Sequence, residues 1–137
     1  MNYLLDTNVC IAVMNETSPQ IEIRLLKELR ANSLLSVSSI SVFELWYGIA
    51  KSARRQSNTQ KLASFLAGRV HILFFDDEDA RIAGELRAEI DVIGRPIDQY
   101  DLLIAGQALR HKMTLVTANV REFTRVKTLS WEDWSKP

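Results

Sequence analysis

The sequence has little sulfur and little imidazole: one cysteine and two histidines in 137 residues. The single Cys10 has no partner for an internal disulfide, and one thiol with two imidazoles is too few for an ordinary structural zinc site. Any metal ion bound by this chain must therefore be held by oxygen ligands.

Long apolar runs are also missing. No run approaches the roughly 20 residues that a membrane-spanning helix needs. Residues 1–6 lack the basic start and the apolar stretch of a signal peptide. The sequence therefore predicts no membrane segment and a cytoplasmic location.

The composition is close to the average for globular proteins, with 47% hydrophobic and 25% charged residues. This balance excludes the disordered, collagen-like and disulfide-scaffold classes. A chain of 137 residues is long enough to bury a core and too short for two ordinary domains. We expect one domain over residues 1–137.

The formal net charge is zero, so the whole molecule does not attract a polyanion as a strongly basic domain would. The charges are nevertheless unevenly placed, because no Asp or Glu occurs between Leu45 and Phe75. The candidate phosphate-binding residues of this stretch are Lys51, Arg54 and Arg55. A solvated helix and loop explains the stretch equally well.

Short apolar runs alternate with segments of helical periodicity along the whole chain. Strands are predicted at residues 3–5, 34–38, 70–75, 114–117 and 126–129, the last at a sheet edge. Helices are predicted to begin near Thr7, Pro19, Ser41, Lys61, Asp76 and Asp98. This alternation predicts an α/β fold with a small, mostly parallel sheet flanked by helices on both faces.

Oxygen-bearing side chains follow several of these strands. Asp6 ends the first strand, Glu44 is predicted in the first turn of the helix after the second, and Asp101 in the first turn of its helix. Asn119 and Glu122 follow the strand at residues 114–117. Ligands of open α/β sheets bind at the carboxyl ends of the strands. We therefore expect these side chains to share one rim.

A cluster of carboxylates at this rim predicts a cation site. Carboxylates held close together repel one another, and a bound cation removes that conflict. Ligand sets made only of oxygen suit Mg²⁺ or Mn²⁺. Such ions activate water and stabilise the leaving oxygen when a phosphodiester is hydrolysed. The sequence thus predicts metal-dependent phosphodiester hydrolysis.

Helix capping is the alternative interpretation of the same residues. Asp6, Asp98 and Asp101 stand near helix starts, and Glu44 is the fourth residue of a Ser41-x-x-Glu44 capping-box pattern. Capping explains each residue taken alone. Their convergence on one edge favours the metal site.

Four motifs occur in order along the chain: Leu4-Leu5-Asp6-Thr7-Asn8, Val42-Phe43-Glu44-Leu45, Tyr100-Asp101-Leu102-Leu103-Ile104-Ala105, and Val116-Thr117-Ala118-Asn119. In this order they resemble the PIN-domain ribonucleases of the VapC toxin type. The resemblance extends over nearly the whole chain, which makes it far more specific than any one motif.

This resemblance implies a toxin of a type II toxin-antitoxin system that cleaves structured RNA, such as tRNA or ribosomal RNA loops, with Mg²⁺ or Mn²⁺. It also implies a homodimer that a small antitoxin protein neutralises within a larger complex. By motif position, Asp6 and Asp101 are direct metal ligands, Glu44 is a direct or water-mediated one, and Thr117 is a supporting hydroxyl. Lys51, Arg54 and Arg55 then become candidate RNA contacts.

Two positions depart from the family pattern. Asn119 stands where many relatives have a fourth Asp, so that position is filled by a neutral amide or by the nearby Glu122. Asp98 stands where close relatives often have Gly, so it is either an added acid outside the ligand set or a helix cap.

Two further functions fit parts of the sequence. A phosphatase with an aspartyl nucleophile is suggested by Asp6 after the first strand, but the usual second Asp is missing from Asp6-Thr7-Asn8. A non-enzymatic phospho-receiver or binding module is suggested by Phe75-Asp76-Asp77, but no suitable Lys follows. Formation of a phospho-enzyme would favour the phosphatase, and phosphorylation by a small-molecule donor would favour the phospho-receiver.

Overall fold

The computed structural model describes all 137 residues, which form five strands and seven helices. The strands are β1 (Asn2–Leu5), β2 (Leu34–Ser38), β3 (His71–Leu73), β4 (Thr114–Val116) and β5 (Trp131–Glu132). The helices are α1 (Thr7–Asn15), α2 (Pro19–Arg30), α3 (Ser39–Lys51), α4 (Arg55–Ala67), α5 (Asp77–Ile93), α6 (Gln99–Arg110) and α7 (Val120–Phe123).

All strands pair in parallel, in the order β3-β2-β1-β4-β5. The central strand β1 aligns Leu5 with Val37 of β2 and with Val116 of β4. The carboxyl ends of these three strands therefore lie level at one edge, and Asp6 is the next residue after that edge. The predicted α/β fold with a parallel sheet is confirmed.

Neighbouring residues of β1 point to opposite faces of the sheet, as the pleat of a strand requires. Leu5 belongs to a core cluster with residues of α1 to α4, including Leu45 and Leu62. Leu4 belongs to a second cluster with residues of α5, α6 and α7, including Phe123. The sheet is thus covered by helices on both faces.

Helices α5 and α6 pack very closely. A Cβ atom added at Gly106 would lie 2.8 Å from the Cα of Ala83, nearer than side chains approach backbone. Glycine at this position of α6 allows the two backbones to touch. This contact holds the middle of α6 against α5, and Asp101 lies in the first turn of α6.

Two strand predictions were wrong in detail. The strand predicted at residues 70–75 spans only His71–Leu73, and Ile72 is exposed because β3 lies at the edge of the sheet. Residues 126–129 form no strand. Val126 and Leu129 are buried, and the amide of Leu129 donates to the carbonyl of Val126 in a turn. The edge strand on this side is β5.

Two helices begin earlier than predicted. Helix α3 begins at Ser39, two residues before the predicted start at Ser41, and Ser38 is its N-cap. Helix α4 begins at Arg55 and not at Lys61. Its first six residues are polar and carry no apolar periodicity, so the pattern does not mark them. No helix of the structure is both long and apolar enough to cross a membrane.

Candidate active site

Asp6 lies at the carboxyl end of β1, where it is 4% exposed. Its Oδ1 accepts a hydrogen bond of 2.8 Å from the amide of Val9, so Asp6 itself is the N-cap of α1. Burial raises the pKa of Asp6, and the nearby Glu44 adds to that rise. Hydrogen bonds from the Thr117 hydroxyl and the Val9 amide oppose the rise in pKa.

Glu44 is held beside Asp6 by the first residue of α1. The hydroxyl of Thr7 donates to Oε1 of Glu44 at 2.7 Å, and Oγ of Ser41 lies 2.9 Å from the same hydroxyl. The N-cap of α3 is Ser38, whose Oγ accepts from the amide of Ile40 at 3.0 Å. The prediction of Glu44 in the first helical turn was therefore wrong. The capping-box interpretation of Glu44 is also wrong, because Glu44 is the sixth residue of α3.

Asp101 lies in the first turn of α6, on the other face of the sheet, and its side chain lines the same cleft. Asp98 is the N-cap of this helix, and its Oδ1 accepts from the amides of Tyr100 and Asp101 at 3.1 and 3.3 Å. Burial raises the pKa of the Asp101 carboxyl to about 7. The carboxylates of Glu122, Asp98, Asp6 and Glu44 contribute to this rise in pKa, in that order.

Asn119 and Glu122 complete the rim. The Nδ2 of Asn119 donates to Oε2 of Glu122 at 2.5 Å and lies 3.4 Å from Oδ2 of Asp101. The Oε1 of Glu122 accepts from the backbone amide of Asp98. The amide of Asn119 donates to Oγ1 of the fully buried Thr117 at 2.9 Å. Both candidates for the fourth position therefore lie within one hydrogen-bonded group.

These side chains surround an open cleft of about 320 Å³ with one hydrophobic residue in its lining. The lining residues are Asp6, Thr7, Asn8, Ile11, Glu44, Asp98, Asp101 and Asn119. Thr117 and Glu122 support the cleft from behind. The role of Thr7 in holding Glu44 was missed by sequence reasoning, which placed Thr7 at a helix start. No local pattern indicates a contact between residues 37 positions apart.

The donors of the cleft fit a hard divalent cation by their chemistry, since all of them are carboxylate, amide or hydroxyl oxygens. Burial is the largest cause of the raised pKa of Asp101, and repulsion from the neighbouring carboxylates, which a cation would relieve, adds to it. The side-chain positions do not form a closed ligand set, because no three acidic, His or Cys side chains come close enough to share one ion. Glu44 and Glu122 are instead hydrogen-bonded to Thr7 and Asn119.

The basic residues singled out in the sequence lie outside the cleft. Lys51 ends α3, with its Nζ 4.8 Å from the centre of the Tyr47 ring. Arg54 and Arg55 are exposed at the start of α4. Neither arginine is part of an ion pair within the chain.

The acidic pair that suggested a phospho-receiver has a structural explanation. Asp76 is the N-cap of α5, where it forms a capping box with Asp79. Its carboxylate also pairs with the guanidinium of Arg110 at 2.5 Å. The carboxylate of Asp76 is thus occupied by structural partners, and Asp77 belongs to the first turn of the helix.

Known proteins are similar to this chain in sequence and in fold. The chain matches the PIN domain family over residues 3–129. It is 40% identical over 136 residues to ribonuclease VapC2 of Rickettsia felis, covering 99% of this chain and 100% of that protein. It is 34% identical over 135 residues to the tRNA(fMet)-specific endonuclease VapC of Shigella flexneri, covering 98% and 99% of the two chains.

Solved structures of VapC-type proteins have the same fold as this chain. The fold matches VapBC2 from Rickettsia felis bound to a promoter DNA fragment, with a TM-score of 0.91, 37% identity and coverage of 98% and 99%. It matches DNA-bound VapBC from Salmonella typhimurium with a TM-score of 0.89, 34% identity and 98% coverage of each chain. The resemblance found in the motifs is thereby confirmed, and the chain belongs to the PIN-domain family, among the proteins of the VapC type.

Proposed function

We propose that this chain is the ribonuclease toxin of a toxin-antitoxin pair and cleaves structured RNA, such as a tRNA or ribosomal RNA loop, by metal-dependent hydrolysis. The observation that carries the proposal is the cleft at the carboxyl ends of β1, β2 and β4, which is lined by the carboxylates of Asp6, Glu44 and Asp101. Burial, followed by repulsion from the nearby carboxylates, raises the pKa of Asp101 to about 7. One relative carries the name of a tRNA-specific endonuclease, which supports the choice of RNA.

We assign Asp6 and Asp101 as direct ligands of Mg²⁺ or Mn²⁺, and Glu44 as a direct or water-mediated ligand. When bound, the cation supplies positive charge and an activated water. Within the chain, the Val9 amide fixes the carboxylate of Asp6, and the hydroxyl of Thr7 fixes that of Glu44.

The remaining polar residues support this assignment at the other side of the cleft. Asn119 lines the cleft and Glu122 does not, so we assign the fourth position to Asn119 and place Glu122 behind it. Asp98 keeps both roles considered for it, since it caps α6 and also faces the cleft. Thr117 supports Asp6 through its hydroxyl.

The proposed partners are a cognate antitoxin protein, an RNA substrate and a second copy of this chain, within a larger complex. The two solved structures described above are VapBC complexes bound to DNA. On α3, Phe43, Trp46 and Tyr47 are large, exposed apolar side chains. A cluster of this kind is typical of a protein interface and supports the homodimer. Cleavage of cellular RNA would place this one-domain protein, residues 1–137, in the cytoplasm.

RNA cleavage should require added Mg²⁺ or Mn²⁺, and the products should carry a 5′ phosphate and a 3′ hydroxyl, because the nucleophile is an activated water and not the ribose 2′ oxygen. The measurement is cleavage of total tRNA by metal-stripped protein, with and without each ion, followed by end analysis. Cleavage that persists in excess EDTA, or a cyclic phosphate product, would contradict the proposal.

Replacing both Arg54 and Arg55 with Ala should weaken RNA binding and flatten its dependence on salt. Each lost phosphate contact lowers the slope of log affinity against log salt by about one unit. Binding is measured with the Asp101→Asn protein, so that the RNA stays intact. The matched control replaces Lys27 and Arg30, two exposed cations at the end of α2. An equal slope in the two double variants would assign Arg54 and Arg55 to a merely solvated surface.

A further inference from the structure

The loop that joins α5 to α6 has almost no hydrogen bonds of its own. Helix α5 ends at Gly94, whose φ of 77° lies in the left-handed region. The carbonyl groups of residues 95–97 and the amides of Arg95 and Ile97 take part in none of the backbone hydrogen bonds outside the helices and strands. The path of this loop is therefore not fixed by its own backbone.

A side chain from beyond α7 holds the loop instead. The Nη1 of Arg125 donates to the carbonyl of Pro96 at 2.9 Å and lies 3.5 Å from the carbonyl of Arg95. Arg125 forms no ion pair with any carboxylate of the chain. Its guanidinium is thus engaged with backbone carbonyls alone, and such charge-assisted hydrogen bonds are stronger than neutral ones.

The segment that carries Arg125 is anchored in the core of the protein. Phe123 and Val126, on either side of Arg125, are both buried in the second core cluster. The same segment contacts the N-cap of α6 through Glu122, which accepts from the amide of Asp98. The residues after β4 therefore contact the segment before α6 at two separate points, the carbonyl of Pro96 and the amide of Asp98.

The loop leads directly into the first turn of α6. Asp98 follows the loop directly, caps the helix and accepts from the amide of Asp101. A displaced loop would displace Asp98 and Asp101 relative to Asp6, which is fixed on the central strand. Misplacing a reacting group by about 1 Å can cost about 100-fold in rate.

We propose that Arg125 is a positioning residue of the cleft, which holds the loop at residues 95–97 and thereby sets the place of Asp98 and Asp101. Its effect on cleavage rests on the proposed function. Its effect on the loop does not, and this difference allows the two to be tested separately.

The experiment compares Arg125→Ala, Arg125→Lys and the control Arg121→Ala. Arg121 is exposed, belongs to the same segment and makes no side-chain hydrogen bond. In Arg125→Ala we expect faster amide hydrogen exchange at residues 97–101 and a smaller rise in melting temperature on adding Mn²⁺. We also expect kcat for RNA cleavage to fall about 10- to 100-fold with KM changed less than about twofold. Arg125→Lys should restore much of the wild-type behaviour in each measurement, because an ammonium group can also donate to the carbonyls.

Three results would overturn the proposal. One is unchanged hydrogen exchange at residues 97–101 in Arg125→Ala. Another is a rise in KM alone, which would make Arg125 an RNA contact. The third is equal loss in Arg125→Ala and Arg121→Ala. If the wild-type protein cleaves no RNA, the proposed function fails, while hydrogen exchange and the Mn²⁺ effect on melting still decide the role of Arg125.

Discussion

Asp101→Asn should lower kcat/KM for RNA cleavage by at least about 100-fold, and Glu44→Gln should lower it by a similar factor. Loss of a residue that merely orients a metal ligand costs about 10- to 100-fold, and loss of a ligand charge should cost no less. Asn and Gln keep the shape and hydrogen bonding of the acids but bind a hard cation less well. Helix capping predicts little change for Asp101→Asn, because Asn is tolerated near a helix start.

The stability of the metal-free protein separates the two interpretations further. The pKa of Asp101 is about 7 in the fold and 3.8 as its ordinary value, so the folded state binds this proton more tightly than the unfolded state. The contribution of Asp101 to the free energy of unfolding therefore falls as the pH rises from about 4 to about 7. Asp101→Asn removes that loss. We expect the variant to be as stable as wild type near pH 4 and at least as stable at pH 8.

The measurements are melting curves at several pH values with and without Mn²⁺, beside an RNA cleavage assay. Mn²⁺ should stabilise the wild type most above pH 7, where Asp101 is ionised, and should stabilise both variants less. The control is Asp77→Asn, an exposed carboxylate in the first turn of α5, far along the chain from the cleft residues. If Asp101→Asn and Glu44→Gln both keep full cleavage and the full Mn²⁺ effect, the ligand assignment is wrong.

The sequence predicted those parts of the site that depend on where strands end. Asp6 is adjacent in the chain to a buried strand, and Asp101 lies in the first turn of its helix, so local pattern and fold class were enough to place both. Glu44 was expected at the correct edge but in the wrong turn of its helix. Ser38, and not Ser41, is the N-cap because α3 begins directly after the last residue of β2.

The contacts that sequence reasoning could not reach join distant segments. Two such contacts are the hydrogen bond from Thr7 to Glu44 and the one from Arg125 to the carbonyl of Pro96. Each depends on how two segments pack in the fold, and no local sequence pattern indicates that packing. The turn at residues 126–129 was mistaken for a strand for a related reason. Val126 and Leu129 are apolar because they fill the second core cluster, and an apolar residue in a turn looks the same as one in a short strand.

Phe123→Ala should lower the free energy of unfolding by about 3 to 5 kcal/mol, the usual cost of emptying the volume of a buried aromatic side chain. Phe123 is 0% exposed and packs in the second core cluster, where it anchors the four-residue helix α7. That cost is a large part of the roughly 5 to 15 kcal/mol that stabilises an ordinary domain. Unfolding in urea measures it, with the slope against urea unchanged if the unfolded state is unaffected.

The control for this prediction is Phe74→Ala, the same substitution at a side chain that is 74% exposed, where we expect a change within about 0.5 kcal/mol. Phe123→Leu should fall between the two, because leucine fills part of the same volume. A cost below about 1 kcal/mol for Phe123→Ala would mean that α7 is not anchored by its core contact. Glu122 and Arg125 would then have to be held in place by contacts of other residues.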